Sequence, residues 1–397
     1  MAKPSKGDKI KAMKKILEGS RAIAETIKNI GVGVISAYPI TPQTHIVEEL
    51  AKIKAAGGAD FEYVRAESEF AAISILVGAA AAGARTYTAT SSQGLLLMTE
   101  VLYNAAGMRL PMVMTDANRA VSAPINIWND QQDAVTMRDS GWIMLYGEDN
   151  QEVCDLHVLA YKVAEKCLLP VMVNLDGFVL THVVEPVEIA EDKQIKKYLP
   201  AYNPTEKLDV NKPLTFGAFV TPEHYMEIRQ ELHDDLAASK KIIIKEMAEF
   251  KKIFGRNLSL VDYYGDKNAD TVVVAMGSVL GTIKEAADEV NNGRKKLGHK
   301  ETGMGALKIN CLRPFPDEEA IKLIGNKKNI AVIDKSISLG EEGILATELR
   351  RALYGKSKAN ITSFILGLGG RDITKEMIKK VFKLAEKKND KAVFVGK

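Results

Sequence analysis

The chain has 397 residues, a length that favours two domains over one. Its 54 basic and 51 acidic side chains leave a formal net charge of +3. This balance argues against a nucleic-acid-binding protein, which needs a concentrated basic face. Hydrophobic residues make up 46% of the chain and charged residues 26%, as is usual for a globular protein with a sizeable core.

The sequence also limits where the protein works and which metals it can hold. No apolar stretch is long and uncharged enough to span a bilayer. The segment Met1 to Lys15 is rich in lysine but lacks the apolar core of a signal peptide, so we expect a cytoplasmic protein. Cys154, Cys167 and Cys311 are too widely separated for a zinc or iron–sulfur motif. We expect them to be core residues, and any metal cluster to belong to another chain.

A proline-containing turn follows the first strand. An amphipathic helix is predicted over 19–30 and a buried strand over 32–37. The turn Tyr38-Pro39-Ile40-Thr41-Pro42-Gln43 comes next, and helical spacing resumes near Thr44. The two prolines hold the backbone extended, which displays the hydroxyls of Tyr38 and Thr41 where open α/β sheets bind ligands. A rigid turn without a ligand explains the segment equally well.

Two further strand–helix units follow. A strand over 61–65 precedes a helix over 68–83, opened by Glu69, that is apolar almost all round. That composition predicts burial on every side. A strand over 85–90 then leads through the turn Ser91-Ser92-Gln93-Gly94 into a helix beginning at Leu95. A polar loop of this kind can present free N–H groups to an anion or a polar ring.

An amide-rich stretch interrupts the alternation of strands and helices. It covers 124–133, follows a strand over 112–114 and the tripeptide Asn118-Arg119-Ala120, and has neither a helical nor a strand period. Such loops tend to be functional. A helix over 150–166 and a buried strand over 171–175, ending at Asp176-Gly177, complete this part of the chain.

The alternating pattern predicts an α/β fold with a parallel sheet covered by helices on both faces. We expect a first domain over 1–190, an extended arm and long helix over 191–265, and a smaller α/β domain over 266–397. The long helix is predicted to end at Gly255. Gly367-Leu368-Gly369-Gly370 lacks the lysine and hydroxyl of a phosphate loop, so we predict a tight turn there.

Two charged residues in the first domain have alternative interpretations. Glu69 at a helix start is either a reactive carboxylate, whose pKa burial would raise, or a simple cap. Arg119 after a buried strand either grips a carboxylate with two donors or forms a surface salt bridge. The sequence has no Ser-His-Asp order, no paired catalytic carboxylates and no dinucleotide fingerprint. His45, His157 and His182 lack metal-ligand spacing.

Six segments carry a resemblance to a known family. In chain order they are Tyr38-Pro39-Ile40-Thr41-Pro42, Ser68-Glu69, Ser92-Gln93-Gly94-Leu95-Leu96-Leu97-Met98, Asn118-Arg119-Ala120, Asn129-Asp130-Gln131-Gln132-Asp133 and Asp176-Gly177-Phe178. Together they resemble the α subunit of the 2-oxoacid:ferredoxin oxidoreductases, most closely the pyruvate enzymes of archaea and anaerobic bacteria, the pyruvate synthases. Gly19-Ser20 departs from the family's glycine-asparagine pair.

The resemblance implies a thiamine diphosphate enzyme spread over several chains. This chain would contain a pyrimidine-binding-type domain followed by a transketolase C-terminal-like domain. A β subunit would hold the diphosphate and Mg²⁺, and ferredoxin-like and γ-type subunits would carry [4Fe–4S] clusters. The implied reaction converts a 2-oxoacid and CoA to acyl-CoA and CO₂ and reduces ferredoxin, or runs in reverse.

The resemblance also implies cofactor-binding residues. Glu69 would hydrogen-bond the aminopyrimidine of thiamine diphosphate, since the cofactor chemistry needs a carboxylate that shares a proton with a ring nitrogen. Tyr38, Pro39, Ser92 and Gln93 would contact the same cofactor.

Three more residues are implied in substrate binding. Thr41 and Arg119 would hold the carboxylate of the 2-oxoacid, and Ile127 would lie beside it. Relatives that use oxalate have arginine where Thr41 stands, so oxalate is disfavoured. We expect no metal ligand in this chain.

Several alternatives stay open at this point. Pyruvate, 2-oxoisovalerate and 2-oxoglutarate are all candidate substrates. A complete decarboxylase or transketolase-like enzyme would need a diphosphate–magnesium motif, which the sequence lacks. A nucleotide-binding regulatory protein would need the missing dinucleotide fingerprint. A scaffold subunit without catalytic residues is the third alternative class.

Overall fold

The computed structural model describes residues 14–297, 303–389 and 391–396, with the side chains of 295–297 excluded. Most of the lysine-rich N-terminal segment, on which the expected location rests, lies outside these residues. Strands and helices alternate through most of the described chain, as the hydrophobic pattern predicted.

The first part of the chain contains eight strands and nine helices among its described residues. The strands are β1 (Lys14–Glu18), β2 (Val34–Ala37), β3 (Glu62–Arg65), β4 (Thr86–Thr90), β5 (Val113–Asn118), β6 (Ile143–Tyr146), β7 (Val171–Asp176) and β8 (Val184–Glu188). The helices are α1 (Gly19–Ile30), α2 (Thr44–Ala55), α3 (Glu69–Ala81), α4 (Ser92–Leu97), α5 (Thr99–Gly107), α6 (Gln132–Thr136), α7 (Asn150–Cys167), α8 (Asp192–Tyr198) and α9 (Pro222–Phe254).

The second part repeats the alternation. Its strands are β9 (Val261–Gly265), β10 (Thr271–Ala275), β11 (Met304–Ile309), β12 (Cys311–Arg313), β13 (Asn329–Asp334), β14 (Asn360–Ile365) and β15 (Val393–Phe394). Its helices are α10 (Val279–Leu297), α11 (Asp317–Ile324), α12 (Ile344–Leu353) and α13 (Lys375–Leu384).

Local sequence accounts for several helix ends. The Ser68 hydroxyl accepts a hydrogen bond from Ala71 N at 3.1 Å and thereby caps α3. Pro222 opens the long helix α9, where a missing N–H costs nothing. Gly255 ends α9 with a φ of 75°, a left-handed conformation that glycine adopts without strain.

Two mixed sheets form the two parts of the fold. The first has the strand order β12-β6-β7-β5-β4-β2-β3, and all its pairings are parallel except that of β12 with β6. The second has the order β15-β14-β13-β10-β11-β9, with β9 antiparallel. The predicted α/β fold with parallel sheets is confirmed.

Strand β12 belongs to the first sheet although it lies late in the chain. It pairs with β6 through Cys311 and Leu145, so the second half of the sequence adds an edge to the first half's sheet. The domain division at 190 and 265 stays a prediction.

Two local predictions were wrong, and several short elements were missed. The helix expected to begin at Leu95 begins at Ser92, because the Ser91 backbone is extended and leaves the polar residues to form the first turn. The arm expected at the start of 191–265 contains the short helix α8, whose first turn is closed by a capping box between Glu191 and Gln194. The pattern also gave no sign of β6, α6 or β9, which are short.

Helix α3 is not buried on every side, contrary to the prediction. Phe70 is 40% exposed and Gly78 is exposed. The helix packs against β2, β4, α4 and α5, and its exposed positions, Phe70 and Gly78, are uncharged. An apolar side that stays uncovered in one chain is typical of a contact surface for another.

Two of the three cysteines are core residues as predicted, while Cys167 is only partly buried. All three are free thiols, and Cys154 and Cys311 are buried in the core. None of the helices in the described part of the chain combines the length and apolar character needed to cross a membrane.

Candidate cofactor and substrate site

The predicted site residues lie along one edge of the first sheet. Strands β5, β4, β2 and β3 are neighbours and run parallel, so the turns that follow them meet at their carboxyl ends. These turns contribute Arg119 after β5, Ser92 and Gln93 after β4, the proline turn after β2, and Glu69 after β3. This edge is where α/β sheets commonly bind ligands.

Glu69 is a buried carboxylate without a partner side chain. It is 7% exposed and makes no ion pair within the described residues. Burial raises the pKa of its carboxyl group, while a bond to its own backbone N–H works in the opposite direction. Its side chain points at α4, because a Cβ added at Gly94 would lie only 2.6 Å from Glu69 Oε1. Glycine at 94 therefore leaves room for the carboxylate.

Ser92 and Gln93 provide polar atoms beside Glu69. Ser92 has a φ of 51°, a strained conformation that a functional site can require of a residue other than glycine. Its hydroxyl lies 2.6 Å from Gln93 Oε1 and 2.5 Å from Ala120 O. Gln93 Nε2 and Thr90 Oγ1 are buried without a hydrogen-bond partner. A polar ring bound here would satisfy groups that are costly to leave unpaired.

Arg119 is a buried cation without an acidic partner. Its side chain donates from Nε to Asn126 O and from Nη1 to Thr41 O, both at 3.0 Å. The residue is 6% exposed, and burial lowers the pKa of its guanidinium while Asp133 works to raise it. No ion pair of Arg119 occurs in the described part of the chain, so the surface salt bridge considered above is wrong. Its Nη2 group makes no hydrogen bond to any other described residue.

Asp133 holds two turns of the site together, and the sequence analysis did not single it out. Its Oδ2 accepts hydrogen bonds from the backbone N–H groups of Ser92 at 2.9 Å and Arg119 at 2.8 Å. Burial raises the pKa of Asp133 to about 7, although these N–H groups work against the rise. In the sequence, Asp133 appears only as the last residue of the amide-rich segment and of the family segment Asn129-Asp130-Gln131-Gln132-Asp133.

Ile127 lies on the irregular stretch between β5 and α6 and is 39% exposed. The neighbouring Trp128 ring stands 4.7 Å from the Phe178 ring, centroid to centroid. The backbone N–H of Ala120 donates to Trp128 O at 3.0 Å, which closes the stretch into a loop over Arg119. We call residues 121–131 the substrate loop, after the role that the sequence predicts for Ile127.

Tyr38 and Pro39 are exposed on the proline turn. The turn is held from inside, since Gln43 Nε2 donates to Tyr38 O at 2.9 Å. Neither side chain has a described contact with Glu69, so their assignment to the cofactor stays a prediction.

The amides of the substrate loop join the two parts of the fold. Asp176 accepts hydrogen bonds from Asn129 at 3.1 Å and Gln131 at 3.2 Å in the first part. It also accepts from Ser278 N at 2.8 Å and pairs with Lys335 at 3.3 Å in the second. Burial tends to raise the pKa of Asp176, but Lys335 and the Ser278 bonds outweigh it and lower the pKa. Asp176 is thus a structural link in the described fold.

Two of the histidines come together despite their separation in sequence. The rings of His45 and His182 are 4.6 Å apart, and the ligand atoms of both and of Glu18 lie within 4.8 Å of one another. His45 Nδ1 is 2.7 Å from Glu18, and His182 Nδ1 is 2.7 Å from the Thr181 hydroxyl. Hydrogen bonding between existing groups accounts for this cluster.

Comparison with known proteins identifies the chain. The family described as "Pyruvate flavodoxin/ferredoxin oxidoreductase, thiamine diP-bdg" matches residues 25–248, and "Pyruvate:ferredoxin oxidoreductase core domain II" matches residues 269–378. The chain is 49% identical to pyruvate synthase subunit PorA of Methanocaldococcus jannaschii, covering 96% of this chain and 97% of the relative. It is 42% identical to ketoisovalerate oxidoreductase subunit VorA of Pyrococcus abyssi, covering 94% and 93%.

Solved structures share the fold. A chain of the 2-oxoglutarate:ferredoxin oxidoreductase from Magnetococcus marinus superposes with a TM-score of 0.68 at 20% identity, covering 95% of this chain and 66% of that longer one. A chain of a split-gene transketolase superposes with a TM-score of 0.53 at 10% identity, covering 94% and 98%.

The fold and the two matching family models place the chain among the thiamine diphosphate-binding 2-oxoacid:ferredoxin oxidoreductases. The chain belongs to the pyruvate flavodoxin/ferredoxin oxidoreductase family. The resemblance stated from the sequence is therefore confirmed, while the roles of the individual site residues stay predictions.

Proposed function

We propose that this chain is the α subunit of an enzyme that converts pyruvate and CoA to acetyl-CoA and CO₂, passes the electrons to ferredoxin, and also catalyses the reverse synthesis. The main observation behind the proposal is the buried guanidinium of Arg119, which forms no ion pair with a described residue. It lies at the same sheet edge as the buried carboxylate of Glu69. One binds a substrate carboxylate and the other serves a cofactor ring. The similarity to pyruvate synthase subunits supports pyruvate as the substrate.

Thiamine diphosphate fits the residues at this edge. Gln93 Nε2 and Thr90 Oγ1 are unpaired, and the Glu69 carboxylate bonds only its own backbone N–H among the described residues. Together they offer both donors and acceptors to an aminopyrimidine. The bound cofactor supplies the carbanion chemistry that cleaves the bond to the carboxylate of a 2-oxoacid. Glu69 holds and releases a proton at its carboxyl group, and its raised pKa brings that group closer to neutral pH.

The substrate is held by the turn that contains Arg119, which Asp133 joins to the turn that contains Ser92. Arg119 presents Nη2 to the carboxylate of the 2-oxoacid, and the exposed Thr41 side chain provides a hydroxyl beside it. Ile127, on the substrate loop, lies along the short aliphatic group of the oxoacid. Because Arg119 carries the only charge assigned to this carboxylate, it contributes most of the affinity.

Other chains complete the enzyme. A β subunit holds the diphosphate and Mg²⁺, and further subunits carry the [4Fe–4S] clusters that deliver electrons to ferredoxin. The uncharged and uncovered side of α3, which begins at Glu69, supports a neighbouring chain next to the site. Among the described residues, the three free cysteines are not grouped in a way that could hold a cluster.

A branched substrate is the second candidate. The 42% identity to a ketoisovalerate oxidoreductase subunit favours 2-oxoisovalerate as the alternative, with 2-oxoglutarate behind it. Pyruvate and 2-oxoisovalerate differ in the size of the aliphatic group. The space that the substrate loop leaves beside the oxoacid therefore determines which of them is used.

The test is a steady-state assay of the assembled complex with CoA, a viologen dye and each of the three 2-oxoacids in turn. We expect the highest kcat/KM with pyruvate and iron-containing brown chains that co-purify with this one. Dye reduction that is fastest with 2-oxoisovalerate would replace pyruvate as the substrate. A colourless single chain with full activity would contradict the proposal.

A further inference from the structure

We propose that the glycine turn 367–370 of the second part is a positioning element for substrate binding, because it fixes the substrate loop and, through Asn126, the guanidinium of Arg119. The inference rests on the proposed function for its kinetic readout. Its structural readout does not depend on any substrate.

Gly369 exchanges two hydrogen bonds with the substrate loop. Its N–H donates to Asp130 Oδ2 at 3.1 Å, and its carbonyl accepts from Asn126 Nδ2 at 3.1 Å. These residues are far apart in sequence, so only the folded chain brings them together. The turn that the sequence analysis interpreted as a simple tight turn is therefore attached to the candidate site.

Asn126 connects the glycine turn to Arg119, because it is hydrogen-bonded to both. Its side-chain Oδ1 accepts from Trp128 N at 2.7 Å, and its backbone carbonyl accepts from Arg119 Nε at 3.0 Å. One residue thus contacts the glycine turn, the loop backbone and the guanidinium. Arg119 has only one other side-chain bond, to Thr41 O, so half of its described support depends on Asn126.

The glycine turn needs glycine for two separate reasons. Gly369 and Gly370 have φ values of 61° and 80°, in the left-handed region. In addition, a Cβ at Gly370 would lie 2.3 Å from Trp128 Cβ. Because a Cβ cannot swing aside as the end of a long side chain can, any substitution at this position must displace the loop backbone.

Steric displacement of the loop predicts a specific kinetic effect. When Asn126 moves, the guanidinium loses its fixed direction toward the substrate carboxylate. The pyrimidine-binding residues Glu69 and Gln93 lie on other turns and keep their positions. We therefore expect weaker binding of the 2-oxoacid with unchanged binding of thiamine diphosphate.

The experiment compares Gly370→Ala with Gly355→Ala in the assembled complex. Gly355 has a φ of 68° and nothing within 4 Å of an added Cβ, so it shares the backbone strain without the contact. We expect Gly370→Ala to raise the KM for pyruvate about tenfold, the effect of weakening one charge-assisted hydrogen bond. Thiamine diphosphate occupancy should match that of Gly355→Ala.

A second measurement needs no substrate. The N–H of Ala120 donates to Trp128 O, and the N–H of Trp128 donates to Asn126 Oδ1. Both acceptors belong to the loop, so hydrogen exchange at these two N–H groups reports whether the loop is fixed. Exchange should be faster in Gly370→Ala than in Gly355→Ala. Asn126→Ala, which introduces no clash, should reproduce both effects.

Failure of this inference and failure of the proposed function give different results. If both glycine variants share the same loop exchange and the same KM, the glycine turn does not position the loop and the inference is overturned. If the parent complex oxidises no 2-oxoacid, the proposed function fails, while the exchange comparison still decides whether the turn fixes the loop.

Discussion

The guanidinium of Arg119 donates a hydrogen bond from Nη1 to the backbone carbonyl of Thr41, 3.0 Å away. The bond uses the carbonyl of Thr41 and does not involve its hydroxyl, and the residue is exposed. The turn after β2 therefore orients the arginine through its backbone, and the side chain at position 41 can differ without loss of that support. This arrangement allows the proposed contributions of Thr41 and Arg119 to substrate binding to be tested separately.

Arg119→Lys should weaken 2-oxoacid binding far more than cofactor binding. An ammonium cannot keep the bonds to Thr41 and Asn126 while also presenting a donor to a carboxylate. Loss of one charge-assisted hydrogen bond costs about 1.5–3 kcal/mol, or roughly one to two orders of magnitude in KM. Steady-state kinetics and a thiamine diphosphate assay on the same preparation measure both quantities.

Thr41→Val is the matched control for this prediction. It keeps the carbonyl that holds Arg119 and removes only the hydroxyl, so the KM should rise by less than in Arg119→Lys. If Arg119→Lys instead loses cofactor while its KM stays unchanged, the arginine serves the cofactor or a subunit contact.

Glu69→Gln should abolish turnover and leave the complex assembled. The amide has nearly the same shape but cannot take up or release a proton, and loss of general acid–base catalysis costs about 10²–10⁴-fold. Hydrogen exchange at C2 of the bound cofactor's thiazolium ring is the direct measurement. Glu67→Gln, an exposed change on the same turn, should exchange like the parent, and equally fast exchange in Glu69→Gln would remove Glu69 from this role.

Asp133→Asn should disturb both halves of the site at once. The substitution places an amide where Oδ2 now accepts from Ser92 N and Arg119 N, so at least one buried N–H loses its acceptor. A buried unsatisfied group costs about 1–3 kcal/mol, which should lower the Tm. We also expect reduced cofactor occupancy and a raised KM.

Asp60→Asn, on an exposed turn, controls for the change of charge. A variant at 133 with parent-like Tm and kinetics would show that the two turns are held by other contacts.

His157 should make the protein less stable in acid. The ring is fully buried between the Thr115 hydroxyl, 2.6 Å from Nε2, and Val153 O, 2.7 Å from Nδ1. Burial lowers its pKa from 6.5 to about 4. The unfolded chain therefore binds a proton at higher pH than the folded chain, so the stability is present above pH 6.5 and is lost as the pH falls toward 4.

The loss should reach about 3 kcal/mol in the free energy of unfolding. Denaturant titrations at several pH values measure it, and His157→Gln should show a smaller slope between pH 6.5 and 4. His224→Gln, at an exposed position, should keep the parent slope. Identical slopes in all three proteins would mean that another group controls the acid response.

The sequence was sufficient to predict the features of the fold that depend on residues close together in the chain. Hydrophobic periodicity predicted the strands and helices that alternate through both parts of the chain, and Gly255 marked the end of α9. The pattern also predicted that the hydroxyls of Tyr38 and Thr41 lie at the carboxyl end of a strand, where open α/β sheets bind ligands. Arg119 was assigned to the same site only through the family resemblance. The motifs at these turns were enough to recognise the family.

Only the tertiary structure decided which groups support that edge. Asp133 joins two turns through backbone N–H groups. Every residue except proline has such a group, so the residue types at these positions do not indicate the contact. Gly370 meets Trp128, and β12 joins the first sheet, across long stretches of chain. Likewise, the open side of α3 could not be predicted, because an apolar helix has the same composition whether its own chain or a neighbouring one covers it. These features depend on contacts between distant segments, and sequence periodicity reports only on local ones.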